Sequence, residues 1–240
     1  MKKALLASVI LLAIQAQAES VFRRNNGAEP KSIDPQLAAE SAGSNVIYDN
    51  FEGLTSADAS GKTIPGVAEK WEVSDDGKTW TFHLRDNNWS DGTPVTAHDF
   101  VYAWQRGVDP AVGSKYSFFL YPIKNAKEIT EGKQNPDTLG VSAPDDKTLV
   151  VELNNPTPYF AGLLTNAVTY PVPKHIVEKH GKDWTRAENI AGNGAFKMHE
   201  WKPQSRIVLE KSANYYGADD VSLDKVIYYV SEDKNAELQR

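Results

Sequence analysis

WEVSDDGKTWTFHLRDNNWSDGTPVTAHDFVYAWQRGVDP, residues 71–110, contains the clearest structural pattern in this chain. Between residues 79 and 85, apolar and polar side chains alternate strictly, which is typical of a strand with one buried face. Trp80, Phe82 and Leu84 are expected on that face. An Asp-Asp-Gly sequence just before the strand predicts a tight turn. The first half of the segment is therefore predicted to form a β-hairpin.

The second half of the segment predicts a helix over residues 97–106. Thr96 occupies the N-cap position, and Asp99, three residues later, gives a variant of the capping box. The buried face of the helix is expected to comprise Phe100, Val101, Trp104 and Val108. We expect Trp104 to pack against the strand face that carries Trp80.

Several motifs, in this order along the chain, resemble one known family. They are FEGL at 51–54, PGVAEKWE at 65–72, WTFHLR at 80–85, the run from WSDGTP to GVDP at 89–110, and GNGAF at 192–196. Together they resemble the extracytoplasmic solute-binding proteins of family 5, which serve peptide and nickel uptake systems. The resemblance implies an oligopeptide ligand, an inner-membrane ABC permease as partner, no cofactor and no enzymatic activity.

The resemblance also implies an architecture, an α/β fold of the type II periplasmic binding proteins. Residues 19–51 and 176–240 are expected to share one sheet as a first lobe, and residues 52–175 to form an inserted α+β domain. The second lobe of such proteins would lie beyond residue 240. We therefore expect this chain to be a fragment that does not bind its ligand tightly alone.

The N-terminus predicts a secretory signal peptide at residues 1–18. Lys2 and Lys3 precede an apolar run at 4–14, and Ala16-Gln17-Ala18 provides the small residues of a cleavage site. The apolar run is shorter than the roughly 20 residues of a membrane span, which is the alternative. No cysteine follows for a lipid anchor, so the mature chain is expected to begin near Glu19 in a Gram-negative periplasm.

Composition excludes several classes of function. The 240 residues contain no cysteine, which rules out disulfides, thiolate metal sites and a cysteine nucleophile. The formal net charge is −6, and it becomes −8 when Lys2 and Lys3 are removed. An acidic chain makes nucleic acid an unsuitable partner.

Other segments predict a succession of short elements. Strands are expected at 21–23, 139–142, 147–153, 206–210 and 226–230, with a Pro144-Asp145-Asp146 turn between the second and third of these. Helices are expected at 44–51 with Ser44 as its cap, at 174–180 with Gly181 as its end, and from residue 232 onward. The aromatic cluster of Tyr116, Phe118, Phe119, Leu120 and Tyr121 is expected to lie in the core.

The sequence offers little catalytic chemistry. His175 and His180 are spaced i, i+5, which does not align two ligands on one helix face, so no metal site is expected. Gly192-Asn193-Gly194 lacks the following Lys-Ser/Thr of a phosphate loop. The six tryptophans and ten tyrosines fit a binding surface or an aromatic core. A secreted hydrolase or carbohydrate-binding module with aromatic platforms remains the alternative to peptide binding.

The resemblance also indicates candidate ligand-binding residues. Ala39, Glu40 and Ser41 fall in a loop before the first helix, where similar proteins lay the chain beside the bound peptide; a plain connecting loop is the alternative. Tyr116 and Asn166 are expected to line side-chain pockets. The acidic group that holds the peptide's amino terminus belongs to the second lobe in such proteins, so no residue here is assigned to it.

Overall fold

The computed structural model describes residues 19–231, so the predicted signal peptide and the predicted helix from residue 232 lie outside the described residues. The strands are β1 (Val21–Gly27), β2 (Thr55–Ala57), β3 (Thr63–Pro65), β4 (Ala68–Val73), β5 (Thr79–Leu84), β6 (Val141–Asp145), β7 (Thr148–Glu152), β8 (Phe196–Lys202), β9 (Arg206–Lys211) and β10 (Lys225–Val230). The α-helices are α1 (Ser41–Asn50), α2 (Ala97–Val108), α3 (Ala126–Thr130), α4 (Phe160–Leu163) and α5 (Lys174–His180).

One four-stranded sheet joins the two ends of the described chain. Its strand order is β1-β10-β9-β8. β1 runs parallel to β10, with Val21 opposite Lys225, whereas β9 is antiparallel to both β10 and β8. Parallel strands need a crossover connection, and here that connection is almost the whole of the chain.

A second four-stranded sheet, of order β4-β5-β7-β6, is antiparallel throughout. Trp80, Phe82 and Leu84 are buried on one face of β5, as the alternation predicted. Phe160 of α4 covers this face, with its ring centre 5.5 Å from that of Trp80 and 6.4 Å from that of Phe82. All four strands come from residues 68–152, so this sheet is built from one continuous stretch of chain.

Helix α2 begins at the predicted residue and ends at Val108 rather than at Arg106. The Thr96 N–H and hydroxyl both donate to Asp99 Oδ2, at 2.9 and 3.1 Å, which confirms the interaction that the sequence predicted. Phe100, Trp104 and Val108 are fully buried, whereas Val101 is only half-buried.

The partners of Trp104 differ from the prediction. Its indole Nε1 donates to the carbonyl of Thr169 at 2.7 Å, and α2 packs on β6 and β7. Among the described residues, Trp104 makes no ring contact with Trp80 or Phe82. Phe160, rather than Trp104, makes the ring contacts with Trp80 and Phe82, while α2 lies over the neighbouring strands β7 and β6 of the same sheet.

Helix α1 also begins earlier than predicted, at Ser41 instead of near Ser44. The N–H and the hydroxyl of Ser44 donate to the carbonyl of Glu40, so Ser44 lies inside the first turn and is not its cap. Gly43 lets the helix approach the preceding segment, since a Cβ there would be 2.3 Å from the carbonyl oxygen of Ser32. Ser41 is therefore a helix residue, and its assignment to the loop was wrong.

The remaining elements follow the predictions with shifted ends. β6 extends to Asp145, so Pro144 and Asp145 belong to a strand rather than to the predicted turn. α5 coincides with the helix predicted at residues 174–180, and Gly181 after it has a φ of 54° that favours glycine. Within residues 19–231, no helix has the length and apolar character needed to cross a membrane.

Candidate functional site

The segment between β1 and α1 presents bare main chain at its outer edge. The carbonyl of Asp34 accepts hydrogen bonds from the N–H groups of Leu37 and Ala38, both at 2.9 Å. The N–H and C=O of Ala39, by contrast, have no hydrogen-bond partner within residues 19–231. Leu37 is 40% exposed and Ala39 is half-buried. A ligand that approaches this edge therefore finds a free donor and a free acceptor.

The inner side of the same segment is firmly anchored by Asp34. Its Oδ1 accepts from the Gln36 N–H at 3.0 Å and from Arg106 Nη1 at 3.1 Å. Its Oδ2 accepts from Arg106 Nη2 at 2.6 Å and from Trp184 Nε1 at 3.1 Å. Burial opposes the charge of Arg106, but the hydrogen bond and the negative charge of Asp34 outweigh it and raise the pKa of the guanidinium.

Gln36 extends this anchor to a second part of the chain. Its side chain is buried, with the amide oxygen accepting from Arg106 Nη1 at 2.6 Å. Its Nε2 donates to the carbonyls of Val168 and Tyr170, at 3.3 and 3.1 Å. The loop is therefore fastened to α2 and to the segment around Val168 by one fully bonded side chain.

A cleft of about 410 Å³ opens beside the anchor. Its apolar walls include Leu37, Val112 and Trp184, and its cationic groups include Lys31 and Arg106. Apolar walls with a few charged groups suit an amphipathic ligand side chain.

The other predicted loop residues play different parts. The carboxylate of Glu40 turns back on its own loop, where Oε1 accepts from the N–H of Lys31 at 2.9 Å. Ser41 is exposed at the start of α1, and the N–H groups of a helix's first turn have no intrahelical acceptor. Ala39 and Ser41 thus carry main-chain N–H groups without an acceptor in the described part of the chain, while the Glu40 side chain bonds within the loop.

Tyr116 belongs to an exposed aromatic cluster, in contrast to the predicted core location. Tyr116 is 36% exposed and Phe118 is 51% exposed, while Leu120 is buried. The rings of Phe118 and Phe119 stack at 4.8 Å, and Tyr116 meets them edge-on at 5.8 and 6.1 Å. Leu120 is the buried hydrophobic residue of this run and lies beside Gly107 of α2. Sequence reasoning missed Phe118 as a surface aromatic, with Phe119 half-buried next to it.

Asn166 caps the short 3-10 turn at Ala167–Thr169, where its Oδ1 accepts from the N–H of Val168 at 3.2 Å. Gln36 donates to the carbonyl of Val168 in this same turn, so a hydrogen bond connects the turn capped by Asn166 to the loop that carries Gln36. The turn that follows Tyr116, Ser117–Leu120, packs on the Asn166 turn. The three candidate regions therefore meet around Gln36.

Glu52 is an ionisable group that sequence reasoning missed. Its Oε1 accepts from the hydroxyls of Tyr215 and Tyr216, at 3.3 and 3.2 Å, and its buried Oε2 has no partner in the described part of the chain. Burial raises the pKa of Glu52 to about 7, against the opposing effects of the two hydroxyls and of Arg85. Its partners lie far along the chain, so no local pattern could have revealed them.

The acidic and histidine side chains of residues 19–231 are spread over the surface. The carboxylate pairs Asp75-Asp76, Asp145-Asp146 and Asp219-Asp220 are exposed. His175 pairs with Asp91 at 2.7 Å, and no three His, Asp or Glu side chains within residues 19–231 are grouped as metal ligands.

Comparison with known proteins assigns the chain to a class. The profile described as "Bacterial extracellular solute-binding proteins, family 5 Middle" matches residues 62–240. The chain belongs to this family, and its α/β fold is that of the periplasmic binding proteins. The family and fold that the motifs indicated are thereby confirmed.

Particular relatives are named for binding peptides. The periplasmic oligopeptide-binding protein OppA of Salmonella typhimurium is 45% identical over 245 residues, which is 95% of this chain and 45% of that protein. The periplasmic murein peptide-binding protein MppA of Escherichia coli is 41% identical over 248 residues, 99% of this chain and 46% of that protein. The crystal structure of Haemophilus influenzae OppA with RPPGFSPFR superposes with a TM-score of 0.90 at 41% identity, covering 93% of this chain and 44% of that one. The chain therefore spans less than half the length of these relatives.

Proposed function

We propose that this chain forms the peptide-contacting part of the substrate-binding component of a peptide ABC transporter. That component captures oligopeptides in the periplasm, delivers them to an inner-membrane permease and is not an enzyme. The observation that carries the proposal is the free main chain of Ala39 on a loop whose inner side is rigidly bonded. The peptide-binding names of the relatives support it.

The peptide lies extended beside residues 39–41, like an added strand. Its backbone pairs with the N–H and C=O of Ala39, and the first-turn N–H of Ser41 supplies a further donor. Such main-chain contacts give affinity without depending on the side chains of the peptide. Tyr116, with its neighbouring rings, and Asn166 line the pockets that receive alternate side chains.

A peptide on this surface alone binds weakly. One side of its backbone stays in water, so each hydrogen bond gains only about 1 kcal/mol net. Ordering a flexible peptide opposes that gain. Millimolar binding is therefore the expected strength for the isolated chain.

We also propose a domain division and a location for the protein. Residues 19–51 and 176–240 form the first lobe and residues 52–175 the insertion, in keeping with strands that fall on either side of these boundaries. The basic and apolar pattern of residues 1–18 directs export to the periplasm.

One observation favours a second candidate, carbohydrate binding. Tyr116, Phe118 and Phe119 form an exposed aromatic platform, and sugars stack on such rings. A hydrolase finds no such support, since it needs two carboxylates at a defined separation.

Nuclear magnetic resonance titration tests the proposal. Tri- to pentapeptides at millimolar concentration are expected to shift the amide signals of Ala39 and Ser41. A series of peptides is then used, each N-methylated at a different backbone position. Methylation at every second position should abolish these shifts, because alternate N–H groups of an extended peptide face the loop. Absence of shifts with all peptides, or shifts near Phe118 with an oligosaccharide only, would show that the peptide assignment is wrong.

A further inference from the structure

We propose that Gln36 and Arg106 are positioning residues for peptide binding, which hold the main chain of Ala39 and the Tyr116 and Asn166 pockets in one fixed arrangement. This inference rests on the proposed function. Neither residue needs to touch the peptide, because each acts through the loop that it holds.

The anchor is more elaborate than a connecting loop requires. The planar guanidinium of Arg106 donates three hydrogen bonds, two to the Asp34 carboxylate and one to the Gln36 amide oxygen. This planar arrangement of donors fixes orientation as well as distance. Its side chain is 16% exposed and that of Asp34 is 4% exposed. A buried ion pair contributes little to stability compared with an apolar replacement of similar volume, which is consistent with a geometric role for this one.

The anchored unit spans four separate stretches of the chain. The loop supplies Asp34 and Gln36, α2 supplies Arg106, and Trp184 comes from beyond α5. Gln36 adds the carbonyls of Val168 and Tyr170. A displacement of any one of these stretches therefore moves the loop relative to the others.

The same unit also reaches the aromatic cluster. Gly107, next to Arg106 on α2, is so closely packed that a Cβ there would lie 2.9 Å from Leu120 Cδ1, 3.6 Å from Gln36 Cγ and 3.9 Å from the carbonyl oxygen of Val168. Leu120 ends the turn that begins beside Tyr116. Gly107 of α2 is thus the point where the loop, the Asn166 turn and the Tyr116 turn come together.

Gln36→Met and Arg106→Lys test the inference. Gln36→Met keeps the length of the side chain and the Arg106–Asp34 ion pair but removes the bonds to Val168 and Tyr170 and the bond that Gln36 accepts from Arg106. Arg106→Lys keeps the charge but removes the fork. Arg206→Lys is the control for the substitution itself, since Arg206 of β9 also makes a two-pronged contact with a carboxylate, that of Glu200 on β8, at 2.8 and 3.1 Å and at an exposed site.

The first readout is hydrogen exchange of the Gln36, Leu37 and Ala38 amides, which are hydrogen-bonded to Asp34 within the loop, in the unliganded chain, measured beside β9 amides and the urea midpoint. Both test variants are expected to speed exchange in the loop about tenfold relative to β9, while Arg206→Lys leaves the loop unchanged. The second readout is peptide affinity by the same titration. It is expected to fall about tenfold in both test variants, since apparent Kd rises as the fraction of competent loop falls.

The N-methyl scan separates positioning from general stability. In the wild-type chain, methylation of a peptide N–H that faces the loop weakens binding, and in Gln36→Met this penalty should shrink, because the loop no longer meets that N–H in a fixed place. A lower urea midpoint with unchanged loop exchange and an unchanged N-methyl penalty would overturn the inference and leave the network a structural one. If wild type binds no peptide, the proposed function fails, whereas the exchange experiment still decides whether Gln36 and Arg106 hold the loop.

Discussion

The buried carboxyl of Glu52 makes the stability of the protein depend on pH in an unusual direction. Its pKa is raised from the ordinary value of 4.5 to about 7, with burial as the main cause. Between these values the folded chain keeps a proton that the unfolded chain has lost. Glu52 therefore stabilises the folded chain fully below pH 4.5, and this stabilisation is lost as the pH rises to about 7.

The size of this effect follows from the shift. One pKa unit corresponds to 1.36 kcal/mol, so a shift of about 2.5 units is worth about 3 kcal/mol. Glu52→Gln retains the shape and cannot ionise, so it removes this dependence. The wild-type chain should thus lose about 3 kcal/mol relative to Glu52→Gln between pH 4.5 and pH 8.

Urea unfolding at a series of pH values measures the difference between the two chains. All other titrating groups contribute equally to both and cancel. Glu69→Gln, which removes an exposed carboxyl group on β4, reports what the loss of one acidic residue does by itself. If the difference between wild type and Glu52→Gln stays constant across the series, Glu52 is ionised in the folded chain and the reasoning from burial is refuted.

Three further substitutions have expected outcomes. Trp104→Ala should lower the free energy of unfolding by about 3–5 kcal/mol, because it empties a core site and leaves the Thr169 carbonyl without its donor; an unchanged urea midpoint would contradict the burial. Tyr116→Ala should change peptide affinity to different extents for peptides that differ in one side chain, and a uniform or absent change in calorimetry would remove it from a pocket. Gly43→Ala should destabilise the chain instead of giving the gain of about 1 kcal/mol typical of a helix interior, since its Cβ meets the Ser32 carbonyl; a raised thermal midpoint would refute this.

The parts of the fold that sequence could predict are those set by near neighbours. Thr96 and Asp99 are three residues apart and bond each other in the structure, so the start of α2 follows from local chemistry. The buried face of β5 could be predicted because successive side chains of a strand point to opposite faces, so the alternation of apolar and polar residues identifies that face by itself. The end of α5 at Gly181 has the same local character.

The parts that could not be predicted depend on residues far apart in the chain. α1 begins at Ser41, and its Gly43 lies against the Ser32 carbonyl of a different segment, a contact that no capping rule contains. Gln36 and Arg106 are separated by 70 positions, and Glu52 is separated from its tyrosines by more than 160. The exposure of Phe118 likewise depends on what the fold leaves uncovered, and composition alone favoured a core position.

The parallel pairing of β1 with β10 sets an order in time for the folding of a newly made chain. The β4-β5-β7-β6 sheet has all its strands once Glu152 has been synthesised. Val21 of β1 pairs with Lys225, so β1 cannot pair until Lys225 has been synthesised. At about 5–20 residues per second, this happens roughly 10–40 s after the synthesis of Val21. Throughout that interval β1 is a strand without its neighbour, open to chaperones and to incorrect pairing, although it is made before all the other described strands.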